Sequence, residues 1–187
     1  MSTVETVFLT DWSTDDKRIA FHRSPAATNS YDVGVMEVAG GAKPQLVAPT
    51  KFAEAGGRFS RDRRWIAYSS DASGQMEVYV APVSGSAGMR ASSGGGSEPH
   101  WQRDSQELFY LSADRWIMAV TIGRGPTPDP GAPERLVQTR ALFPGSIFRM
   151  NYDVTGDGKR FLVSTPVEGA GTSPITVVLN WAAVLKK

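Results

Sequence analysis

The sequence has no cysteine among its 187 residues. That excludes disulfides, thiolate metal sites and a cysteine nucleophile, and leaves the compartment open. It also lacks an excess of either charge: 20 lysines and arginines oppose 19 acids, for a net +1. Bulk electrostatics therefore give no reason to expect a nucleic-acid partner or a membrane surface. No long hydrophobic run is present. The longest, "ITVVLNWAAVL", is broken by Asn180 and is too short to cross a bilayer. The opening "MSTVETVFLTDW" has neither a basic nor an apolar leader region, so it does not read as a signal peptide. The expectation is a soluble chain, cytoplasmic by default, or extracytoplasmic if it belongs to a longer membrane-anchored protein. Sustained helical periodicity is missing too.

What is present is a repeat. "WSTDDKRIAF" from Trp12, "FSRDRRWIAY" from Phe59, "WQRDSQELFY" from Trp101 and "VTGDGKRFLV" from Val154 align without a gap. Each has an apolar first position, Asp at the fourth and an apolar trio at the end. The spacings are in the forties and low fifties, which points to a propeller or a helical array. The runs that follow, "DVGVMEV", "MEVYVAP", "WIMAVTI" and "ITVVLNW", are rich in β-branched and aromatic residues and decide for strands. Weaker runs, "KPQLVAP" and "PERLVQT", supply outer strands. The fold expected is all-β: a β-propeller with four blades of about four antiparallel strands. The blades fall at about 7–50, 51–93, 94–142 and 143–187. The last blade lacks a fourth strand, and the spacing predicts that Ser2 to Thr6 supplies it beside Ile175 to Leu179.

"DVTGDGKRF", from Asp153, resembles a calcium loop, with Asp, Thr, Asp and Gly at positions 1, 3, 5 and 6. However, Ser164 and Phe161 stand where the last ligands belong. Asp157 is also the fourth of a series with Asp15, Asp62 and Asp104. All four are read as structural: an Asp in the turn between first and second strands accepts backbone N–H groups just ahead of it. Gly158 supplies a positive φ. No metal and no cofactor is expected.

The repeats resemble the TolB-like, WD-related propeller family. The strongest segments are "GGRFSRDRRWIAYSSDASGQMEVYVAP" and "GGGSEPHWQRDSQELFYLSADRWIMAV". The last, "YDVTGDGKRFLVSTP" with "PITVVLNW", is similar to propeller ends attached to large bacterial Ser/Thr kinases. The family's turn proline is replaced by Thr14, Arg61, Arg103 and Gly156. Family propellers usually have six or more blades. Four blades leave a closed ring, the tail of a longer propeller, or a half that pairs with another copy.

Catalytic motifs fail one by one. "FHRSP" has Ser24 where a kinase loop needs Asp, and "GRGPTP" meets Pro128 where a glycine-rich loop needs its last Gly. "SSGGGSEP" is not followed by a P-loop Lys, so it reads as a blade crossover. His22 and His100 show no metal spacing. His22 is expected at the surface and His100 on an inner strand facing the channel. Arg58, Arg61, Arg63 and Arg64 read as a solvated turn. Asp15 with Asp16, and Asp104 with Glu107, lie in turns expected to face away from the binding rim, so no acid–base pair is assigned. The channel rim expected from the entries to inner strands is Asp11, Arg58, Glu98, His100 and Asn151. The resemblance implies a non-catalytic module for protein–protein binding or sensing. A protein or peptide is the leading partner, a small polar ligand the next, with self-association if the ring is open. The alternative is the propeller of a hydrolase, a prolyl-oligopeptidase-type peptidase or a glycosidase.

Overall fold

The computed structural model describes residues 5–24, 30–142, 144–145, 150–166 and the backbone of 175–178. Among the described residues fifteen strands follow one another. The first sheet holds β1 (Thr6–Trp12), β2 (Arg18–Ser24), β3 (Asp32–Glu37) and β4 (Gln45–Leu46). The second holds β5 (Glu54–Phe59), β6 (Trp65–Ser70), β7 (Glu77–Pro82) and β8 (Met89–Arg90). β9 (Gly96–Trp101), β10 (Glu107–Ser112), β11 (Trp116–Thr121) and β12 (Glu134–Gln138) form the third. The fourth contains β13 (Tyr152–Val154), β14 (Phe161–Ser164) and β15 (Ile175–Val178). Each sheet is an antiparallel meander with strands in sequence order, which is the organisation of a propeller blade. No described residue is helical.

The blades are joined face to face. Ala20, Val33 and Val35 of the first sheet pack on Phe59, Ile66 and Tyr68 of the second. Ala67, Val78 and Val80 of the second meet Leu108, Tyr110 and Val120 of the third. Phe109, Leu111 and Ile117 of the third meet Tyr152, Phe161 and Val163 of the fourth. The Phe109 and Phe161 rings meet edge-on at 5.3 Å. Four sheets thus share three cores, and among the described residues none joins the fourth sheet to the first. The outward face of the first sheet keeps Leu9 66 % and Trp12 52 % exposed, so the blades form an open arc. Where that face is covered, the fit is close. A Cβ on Gly34 would lie 2.4 Å from Phe21, whose ring crosses the glycine opposite it.

Terminal closure by residues 2–6 is corrected at its described end. Thr6 pairs with Ser24 and so extends the first sheet's inner strand, because β2 runs on to Ser24 and offers its backbone as the partner. Residues 2–4 and Leu179 lie outside the described residues.

The Asp turns have one geometry. In each, the carboxylate accepts the backbone N–H two residues ahead: Lys17 to Asp15 at 3.4 Å, Arg64 to Asp62 at 3.2 Å, Gln106 to Asp104 at 3.0 Å, Lys159 to Asp157 at 3.1 Å. Ser13, Ser60 and Thr155 hydroxyls donate to the same oxygen in three of them. The next residue is left-handed in every turn: Asp16, Arg63, Ser105 and Gly158, with φ between 58° and 70°. Only the fourth turn uses the residue that adopts this conformation without steric cost. Turns of adjacent blades are also bonded: Thr14 Oγ1 to Arg61 O, Asp62 N to Ser105 Oγ, Arg103 N to Gly156 O. Asp104→Ala is expected to cost about 1 kcal/mol in chemical denaturation, the usual scale for one local hydrogen bond. Calcium should leave the melting temperature of the wild type unchanged. A calcium-dependent rise that Asp157→Ala removes would sink the structural reading of these turns.

Candidate functional site

The residue just before each repeat motif is the last before the apolar anchor of an inner strand. In the four blades it is Asp11, Arg58, His100 and Asp153, preceding Trp12, Phe59, Trp101 and Val154. Because the inner strands stand side by side around the arc, the repeat brings these four side chains to one level. All four line a single cavity of about 340 Å³, with Thr14, Arg61 and Gly156 of the turns and Met150 and Tyr152. The cavity is therefore bounded by residues leaving the inner strands toward their turns. The rim expected from sequence is at the entries to these strands, yet three of the residues it names, Asp11, Arg58 and His100, line this cavity.

The four side chains are of three kinds and differ in freedom. Asp11 Oδ2 accepts the Phe59 N–H at 2.8 Å, which fixes it to the next blade. Burial raises its pKa, opposed by that hydrogen bond and by Arg58. Arg58 Nη1 lies 3.8 Å from Asp11 Oδ1, and Nη2 lies 3.7 Å from Met150 Sδ. The backbone carbonyl of Arg58 accepts Trp101 Nε1–H at 3.0 Å. His100 is 9 % exposed and packs on the Tyr152 ring at 4.7 Å. Its Nδ1 is 3.6 Å from Asp153 Oδ1, too far for a hydrogen bond, and its Nε2 is buried without a partner among the described residues. Burial, helped by the Arg58 charge and opposed by Asp153, lowers its pKa to about 4. The ring is neutral at neutral pH. The Asp153 side chain is 73 % exposed.

Behind the cavity, Glu98 and Asn151 hold each other. Glu98 Oε2 accepts the Asn151 N–H at 2.6 Å and Oε1 accepts Asn151 Nδ2–H at 2.5 Å. The Tyr152 hydroxyl donates to the Glu98 carbonyl at 2.9 Å. Glu98 sits in a bulge of β9 with φ 55°, where the second blade's bulge has Gly56 at φ 70°. A non-glycine residue in this region costs about 1 kcal/mol or more, so the surrounding bonds must hold it there.

Of the five residues expected at the rim, Asp11, Arg58 and His100 line the cavity. Glu98 and Asn151 are 6 % and 4 % exposed and are engaged with one another between the third and fourth blades. Asp153 was missed, although its repeat position matches that of the other three. His22, expected at the surface, is 3 % exposed, wedged 5.0 Å from the Phe8 ring and 5.6 Å from Tyr31. Its strand lies inside the first blade, which local sequence does not reveal. Among the described residues no three His, Asp or Glu side chains converge as metal ligands.

No protein-family model matches the sequence, and no curated protein matches it significantly. Solved structures do. TolB from Acinetobacter baumannii superposes with TM-score 0.64 at 18 % identity, over 94 % of this chain and 44 % of that one. A putative TolB from Agrobacterium tumefaciens gives 0.60 at 20 % identity, over 79 % and 53 %. An oligogalacturonate lyase in complex with manganese gives 0.61 at 14 % identity, over 92 % and 48 %. The chain spans about half the length of each. No kinase stands among these three, and at such identities the likeness is one of fold. With four meandering sheets in sequence order, three shared cores and inner strands lining one cavity, the chain has the fold of the TolB-like β-propellers.

Proposed function

We propose that the chain is a non-catalytic propeller module that binds a peptide segment of a protein partner, or a small polar ligand, in the cavity of its inner face. The observation that carries this reading is the level of two aspartates, an arginine and a histidine, Asp11, Asp153, Arg58 and His100, at one repeat position. A purely structural repeat would be expected to place similar residues there, as the Asp turns do. Rigid blades that present variable polar groups into a concavity are suited to recognition. The TolB-like resemblance supports a protein partner.

The alternative, a hydrolase propeller, draws on neighbours such as a prolyl endopeptidase, with TM-score 0.55 at 15 % identity. The cavity gives it little to work with. Its hydroxyls are those of Thr14 and Tyr152, and the Tyr152 hydroxyl is tied to the Glu98 carbonyl.

Two measurements on the purified chain test the proposal. Trp12 and Trp101 line the cavity, so tryptophan fluorescence should report saturable binding from a tripeptide panel. The same panel, with glycosides added, should show no turnover. Turnover that His100→Ala abolishes would transfer the site to the hydrolase reading.

A further inference from the structure

Arg58, the repeat-position residue of the second blade, is a cavity side chain with incomplete bonding. A guanidinium has five N–H donors in a planar fork and seeks oxygen acceptors at about 2.8 Å. Among the described residues Arg58 has one carboxylate oxygen at 3.8 Å and one thioether sulfur at 3.7 Å. Asp11 is not free to close the gap, because its other oxygen is held at 2.8 Å by the Phe59 N–H of the neighbouring blade. Arg58 is also not buried out of reach: its side chain is 27 % exposed on the cavity wall. A second cation, Arg61, lines the same cavity. His100, which lines the cavity beside them, has a buried Nε2 without a partner among the described residues, the kind of loose end that an ordered water completes.

Taking the binding reading above as its basis, we infer that the ligand presents a carboxylate to the Arg58 fork, and that this carboxylate is the C-terminus of a peptide. Charge selects the anion. Asp11 and Asp153 line the same cavity, so a phosphate, carrying close to two negative charges, would meet two carboxylates. A single carboxylate fits the fork in a bidentate way and adds only one charge. Shape selects the peptide end. Trp12, Phe59 and Trp101 lie on the walls, and about 340 Å³ is at the lower end of small-ligand pockets. That is room for a terminal residue with an apolar side chain, its carboxylate at Arg58 and the preceding chain leaving past Asp153.

The test uses the tripeptide Gly-Gly-Phe as free acid and as C-terminal amide, with phenyl phosphate as a third probe. Binding is read by tryptophan fluorescence and by titration calorimetry. The free acid should bind at least about tenfold more tightly than the amide, the scale of one charge-assisted bidentate contact. Arg58→Gln should bring the acid down to the level of the amide. Arg58→Lys, which keeps the charge and loses the fork, should restore only part of the difference. Unchanged melting temperatures would certify that both variants fold; should Arg58→Gln not fold, the Lys variant alone carries the comparison. Equal affinity of acid and amide in the wild type overturns the carboxylate assignment and leaves the binding reading standing. So does discrimination that survives Arg58→Gln, or tighter binding of phenyl phosphate. No saturable binding of either peptide removes both the inference and the reading beneath it.

Discussion

Replacing Glu98 with alanine is expected to destabilise the chain by about 3 kcal/mol, the scale for removing one partner of a buried charged network. The carboxylate is 6 % exposed and accepts both the backbone and the side-chain N–H of Asn151. Alanine would remove the carboxylate that accepts two buried donors of the fourth blade, and would keep the left-handed backbone that the carboxylate now holds in place. Glutamine should be intermediate. It keeps one acceptor, but its amide then faces an Asn151 N–H donor to donor. Urea denaturation measures the loss. A double-mutant cycle with Asn151→Ala should show strong non-additivity, because both single changes break the same link. A Glu98→Ala variant within 1 kcal/mol of wild type would mean that the third and fourth blades are held by their apolar core and their remaining hydrogen bonds, such as Arg103 N to Gly156 O, without help from this carboxylate.

The opposite sign is expected at Glu54. This carboxylate is 1 % exposed, receives one hydrogen bond from Thr50 Oγ1, and has its second oxygen buried without a partner among the described residues. Burial first, opposed by the Thr50 bond and reinforced by the charges of Asp32 and Asp71, pushes its pKa from 4.5 up to about 7. Below pH 4.5 the group is protonated in both folded and unfolded chains and makes no difference. As the pH rises from 4.5 to 7 the unfolded chain ionises first, and stability is lost. Above pH 7 that loss is complete and amounts to roughly 2–3 kcal/mol. Glu54→Gln should therefore be more stable than wild type by about that amount at pH 8, with no advantage near pH 4. His100 acts in the other direction. Its lowered pKa takes stability away as the pH falls from 6.5 toward 4, in the wild type and the variant alike, so it cancels in the difference. Denaturation of both proteins at the two pH values decides the matter, and a pH-independent difference would show that Glu54 is not a buried ionisable liability.

Both carboxylates also show which parts of this protein can be read from its sequence. The Asp turns can, because one side chain and one backbone N–H two residues apart make a local device that recurs in every blade. The third strands can as well, since "DVGVMEV", "MEVYVAP" and "WIMAVTI" are β-rich and buried and contain β3, β7 and β11. Outer strands β4 and β8 are two residues each on an exposed edge and leave little pattern. Glu98 was legible as a residue entering an inner strand but not as a clamp. The bulge that turns it inward carries Glu and Pro where the second blade signals its bulge with Gly56 and Gly57. His22 does not read as buried because its cover comes from Phe8 on β1 and from Tyr31 just ahead of β3. Asp153 is hidden for a different reason: it reads as the first residue of a calcium-like loop rather than as the counterpart of Asp11, Arg58 and His100.

The three shared cores have a consequence for how the chain comes apart. Among the described residues the apolar cores join each blade only to its neighbours in the row, so stability is chiefly a sum of blade terms and nearest-neighbour terms, as in a linear array. The second and third blades are gripped on both faces, the first and fourth on one. Opening then begins at an end and advances inward, one sheet at a time, and the second and third blades outlast the ends. The cavity has contributors at both extremes, Asp11 from the first blade and Asp153 from the fourth. A ligand that touches both would staple the two ends of the row to each other. Occupancy of the cavity and fraying of the terminal blades are in this way one equilibrium: whatever fills the inner face also sets the pace at which the arc unravels.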